Sequence, residues 1–160
     1  MSDGIIVSTK EDNGTGYGYG GQVKSNSGLT LEFLYVPANT VEGEVLVKSF
    51  DGDEATNPNA VAPATSSVPK QTVVATEDQG TTAGFQFCVT KGYCDMLVNG
   101  TSAVAKDDYL EVINGADNAI KDGTSQTVNS FAIACEAQTA TSDTLTEVYV
   151  LGVTSQVAAS

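Results

Sequence analysis

The sequence predicts an all-β protein, a compact antiparallel β-sandwich or β-barrel with an extended N-terminal arm and a long Pro-rich loop. Three observations carry this. The chain is rich in Thr, Val, Ala, Gly and Ser, and Val and Thr favour strands while Gly, Asn and Asp favour turns. No window of a dozen residues shows the i, i+3, i+4, i+7 apolar stripe of an amphipathic helix. In its place runs a series of short β-like segments separated by turn signals, the pattern of a sandwich or barrel. At 160 residues and 16.5 kDa the chain suits a single domain. A hydrophobic share of 41% is enough to build its core.

The β-like runs are residues 5–9, 29–36, 44–50, 72–76, 85–90, 93–98, 109–113, 130–136 and 146–153. Residues 11–28, EDNGTGYGYGGQVKSNSG, are rich in Gly, Asn and Ser, so residues 1–28 are expected to form an extended arm. Residues 29–160 then form one β domain with a long loop at 51–69, which holds Pro58, Pro63 and Pro69, three of the four prolines. A two-residue loop at Lys91-Gly92 would fold 85–98 into a hairpin. Val89 then faces Cys94, Phe87 faces Met96 and Phe85 faces Val98, all six apolar and on one face. Asn114-Gly115 is a strong turn signal and predicts a second hairpin, 109–113 with 118–121. In the last run Val148 and Val150 alternate with Glu147, Tyr149 and Leu151, which leaves a mixed face for a subunit contact or a second core layer.

Charge and missing residue types exclude several function classes. Twenty acids against seven basic residues, all lysines, give a net charge of −13. With no His there is no imidazole base, no Ser-His-Asp or Cys-His system and no zinc site built on His. With no Arg there is no bidentate fork for phosphate. The acidic balance repels nucleic acid and anionic membrane surfaces. No apolar run approaches the roughly 20 residues of a membrane helix. The N-terminus lacks a basic n-region and an apolar h-region, so a protein made in a cytoplasm is expected.

Candidate sites are few. Cys88, Cys94 and Cys135 are an odd set with no metal spacing and read as small buried hydrophobes. In the hairpin register Cys88 and Cys94 point to opposite faces, which argues against a disulfide between them. Asp51, Asp53 and Glu54 lack the Gly and bidentate Glu of a calcium loop and read as solvated acids. Asp107-Asp108 reads as a turn device, not a catalytic dyad. Asn13-Gly-Thr and Asn99-Gly-Thr read as turns. Tyr17 and Tyr19, set among glycines, are candidate partner contacts or a surface for stacking on sugars. Ile5, Ile6 and Val7, whose strand could add to a partner's sheet, are candidate partner contacts too. No nucleophile, base and orienting group can be assembled, so no enzyme, cofactor or metal is expected.

The C-terminal half carries, in order, GTSAVAKDDYLEV at 100–112, Asn114-Gly115, SFAIACEA at 130–137 and TEVYVLG at 146–152. This order resembles that of the capsid decoration, or cement, proteins of tailed bacteriophages. In that family a strand entered from a Gly-Asp-x-Leu-like turn is followed by a hairpin, an Ala-Ile-Gly-Ile-Ala-like segment and a Val-rich strand. Here Lys106 or Asp107 stands in place of the turn's Gly, and Ala132-Ile133-Ala134 lacks the central Gly. The resemblance spans residues 85–153. It implies a non-enzymatic structural virion protein, made in the host cytoplasm, that binds the outside of the shell. Its partner would be the major capsid protein, and it would form a homotrimer, with no nucleic acid and no membrane bound. The alternative is a ligand- or glycan-binding β-sandwich module on a virion or cell surface.

Overall fold

The computed structural model describes residues 5–8, 22–25, 28–49 and 60–159. Among these residues there are twelve strands and no helix. The longest, β7 (Gly84–Val98), organises the rest. Its first half is flanked by β3 (Thr30–Val36) and β6 (Ser66–Ala75). Its second half pairs along its length with β11 (Thr144–Val150). From β11 the sheet continues through β10 (Ala132–Ala134) and β8 (Tyr109–Val112) to β9 (Ala119–Gly123). A parallel bridge between Val98 and Ala119 returns β9 to β7. Five strands thus close into a barrel, which removes their edges. All other strand pairs are antiparallel. β4 (Val45–Lys48) joins β6, with β5 (Ala60–Val61) on its far side and β12 (Thr154–Val157) also on β6. β1 (Ile5–Ser8) pairs with β2 (Gln22–Lys24), and β2 pairs with β3, so β1 ends the strand order.

The main core fills the barrel with Met96, Val98, Leu110, Val112, Phe131, Val148 and Val150, all at most 1% exposed. Val45, Val47, Val74 and Val89 bring the outer strands onto the same core. A second cluster, Leu34, Val36, Leu46, Ala60, Val73 and Cys88, lies on the other face of those strands. β4 and β6 are therefore apolar on both faces, which is why VLV and VVA are unbroken aliphatic runs.

The expected hairpin at 85–98 is corrected: the segment is one continuous strand. Its apolar phase does switch, but at a β-bulge. Thr30 faces Lys91 and Leu31 faces Val89, so Thr90 is the extra residue, and its hydroxyl donates to Thr30 O at 3.2 Å. Before the bulge Val89 faces the main core; after it Met96 and Val98 do. A hairpin and a bulge both reverse the alternation, so one sequence pattern fits either. Cys88 and Cys94 do lie on opposite faces, and both are free thiols.

The second hairpin forms as expected, with Gly115 at φ +73 in its turn. Three short strands were not anticipated: β2 inside the expected arm, β5 inside the expected 51–69 loop, and β12 after the last run. The first residues of β6 also fall within 51–69.

Candidate functional site

The outer wall of the barrel carries side chains that alternate with the core. Its register sets Tyr93, Tyr149, Ile133 and Tyr109 in a row across β7, β11, β10 and β8. The rings of Tyr93 and Tyr149 meet edge to face, with centroids 4.9 Å apart. Two residues along, Glu147 stands directly opposite Asp95, and two further along Leu145 stands opposite Leu97. Tyr93 is 62% exposed and Leu145 43%, both high for large apolar side chains.

An open groove of about 560 Å³ runs along this wall, lined by Tyr93, Ile133, Cys135, Glu147 and Tyr149 with Lys106 and Asp107 at one end. That end is a turn built by its two aspartates. Asp108 is 3% exposed. Its Oδ2 accepts from Ala105 N at 2.7 Å and from Lys121 Nζ at 2.7 Å. These bonds, the Lys121 one first, hold its carboxyl below the usual range. Asp107 takes a left-handed φ of +70, and its N–H donates to Ala134 O at 2.8 Å. The pair is thus a turn device, as the sequence indicated.

The electrostatics of the groove are net acidic. Burial pushes the Cys135 thiol up, and the nearby carboxylates of Glu147, Asp107 and Glu136 push the same way, with Lys106 opposing. Glu136 folds back so that its Oε1 accepts from Glu147 N at 3.0 Å. Burial also drives Cys88 and Cys94 up to about 12. No group of three or more Cys, Asp or Glu side chains that could hold a metal ion occurs among the described residues. The wall offers aromatic surface, aliphatic surface and carboxylates, a set suited to packing and ion pairing.

Of the sequence-derived candidates, Ile5, Ile6 and Val7 lie in β1, and their backbone is placed at the end of the sheet. Tyr17, Tyr19, Asn13 and residues 51–54 lie outside the described residues. Asn99 makes a local turn, its Oδ1 accepting from Thr101 N at 2.9 Å. Sequence reasoning missed Tyr93, because the hairpin register set it beside the turn. Tyr149 and Glu147 were visible as the outward phase of the last run, but nothing local said that Tyr93 stands opposite.

No protein-family model, no curated protein and no solved structure matches this chain.

Proposed function

We propose that the protein is a structural virion component that binds the outside of a tailed-phage capsid and strengthens the shell. The observation that carries this reading is the outer wall itself. A barrel with a filled interior leaves Leu97, Leu145, Tyr93, Tyr149 and Ile133 on one side of an acidic surface. Exposed apolar rows of this kind serve docking to another protein. A smaller point supports the resemblance: Asp107 has the left-handed φ that explains a Gly at this place in the decoration family's turn. Each contact with the lattice need only be moderate, since a trimer engages several capsid subunits at once. Ile5, Ile6 and Val7 are proposed as a further contact, because β1 ends the strand order and a capsid strand could add there.

The test is light scattering on the purified chain, followed by co-sedimentation with expanded capsids of the cognate phage. A particle near three times 16.5 kDa that pellets with capsids is the expected result. Failure to pellet under any salt condition would sink the reading. Deleting residues 1–20 should weaken pelleting; unchanged binding would remove β1 from the interface. A glycan-binding module is the second reading, favoured by the exposed Tyr93–Tyr149 pair. Glycan-array binding lost in Tyr93→Ala would select it.

A further inference from the structure

We propose that the groove beside Tyr93 and Tyr149 is a receptor for one arginine side chain presented by a partner protein. For the identity of that partner the proposal rests on the docking reading above; the chemistry of the groove stands on its own.

Two features of the groove select a cation. The first is aromatic: Tyr93 is 62% exposed and meets Tyr149 edge to face, so ring surface faces the groove. A cation over such a face is attracted by the ring quadrupole. The second is charge. Glu147 and Asp107 line the groove, Asp95 stands directly opposite Glu147 on β7, and Glu136 is tied to Glu147 N. Lys106 is the one cation in the lining. Like charges directly opposite on paired strands destabilise a sheet, and an incoming cation beside Asp95 and Glu147 relieves this. The upward push that Glu147, Asp107 and Glu136 exert on the Cys135 thiol is in the same direction.

Arginine fits better than lysine. Its planar guanidinium stacks on an aromatic face and forks onto a carboxylate at the same time. The chain contains no Arg, so this side chain must come from another protein. A second copy would bring a like-charged wall and a further net charge of −13. Charge complementarity therefore points to a partner whose contact surface has a basic residue at its centre.

The test uses a probe that needs no capsid. ¹H–¹⁵N spectra of the full chain are titrated with Nα-acetyl-arginine amide and, in parallel, with Nα-acetyl-citrulline amide, its uncharged analogue. The expected result is shifts confined to amides around residues 93, 107, 133–135, 147 and 149. They should be several-fold weaker with the citrulline probe and should fade with added salt. Tyr93→Ala and Glu147→Gln should each weaken binding from several-fold to roughly tenfold. Both side chains are exposed, so unchanged peaks elsewhere will show the fold intact. Equal shifts with both probes, shifts outside the groove, or no shifts at all would overturn the proposal. A stronger response of the same amides to cellobiose would overturn it in favour of a glycan. Concentration-dependent broadening of those amides without any probe would overturn it in favour of a second copy. Loss of capsid binding with arginine binding intact would fail the decoration reading alone, and the converse would fail this proposal alone.

Discussion

Gly92 shows how one residue sets the course of the longest strand. It follows the bulge at φ +110, and a Cβ there would lie 2.9 Å from Leu29 Cα. Backbone cannot yield as a flexible side chain can. Gly92→Ala should therefore destabilise the fold by roughly 1–3 kcal/mol, read as a lower urea midpoint at unchanged slope. The thiols act at the same scale. Burial raises Cys88 and Cys94 from an ordinary 9.0 to about 12. The folded state holds these protons to higher pH than the unfolded chain does. Their contribution is thus full below pH 9.0 and is lost as pH rises from 9.0 toward about 12. Stability should fall in that window by up to about 1.4 kcal/mol per pH unit for each thiol. Cys88→Ala with Cys94→Ala should flatten the fall, which denaturation curves across the alkaline range will show; an equally steep fall in the double variant would refute the assignment.

At the scale of elements, β3 and β4 are tied by an ion pair between Glu32 and Lys48, whose side chains are 3% and 16% exposed. Glu32 lies beside Cys88, on the face of β3 that carries Leu34 and Val36. Removing one partner leaves a buried charge, so Glu32→Ala should cost about 3 kcal/mol, whereas Glu32→Leu with Lys48→Met should stay near the parent. Chemical denaturation of the three proteins separates these outcomes. Much at this scale was legible in the sequence. Apolar, strand-favouring runs between turn residues gave β3 and β4, the Asn-Gly turn gave β8 and β9, and alternation gave the inward phase of β11. The bulge in β7 was not legible, since Phe85, Phe87, Val89, Cys94, Met96 and Val98 share one face under a hairpin as well. β2, β5 and β12 are two to four residues long, too short for a periodic signal; tertiary pairing makes them strands. The groove was hidden for a related reason. Its two tyrosines are 56 positions apart in sequence and meet only through the register of β7 with β11.

The whole molecule carries a charge of −13, and its self-repulsion opposes compaction. Two half-buried carboxyls add to the pH dependence. Desolvation raises Glu44 and Glu111 above their ordinary value. For a raised group the contribution is full below the unfolded pKa and is lost as pH rises through the folded one, so both favour a mildly acidic medium. Asp108 works the other way: hydrogen bonds, first from Lys121, lower it. Its contribution is present above the unfolded pKa and is lost as pH falls toward the folded one. Together these place the stability maximum below neutrality yet above the range where Asp108 takes up its proton. The melting temperature should be higher at about pH 5 than at about pH 7.5. Added sodium chloride should raise it more at the higher pH, where the repulsion to be screened is larger. Calorimetry over a pH and salt grid reads both effects. A melting temperature that falls steadily from neutral to acid pH would mean that paired carboxylates such as Asp108 outweigh the repulsion. The acidic surface would then be a cost the fold scarcely feels, and its role would be sought in the choice of partner alone.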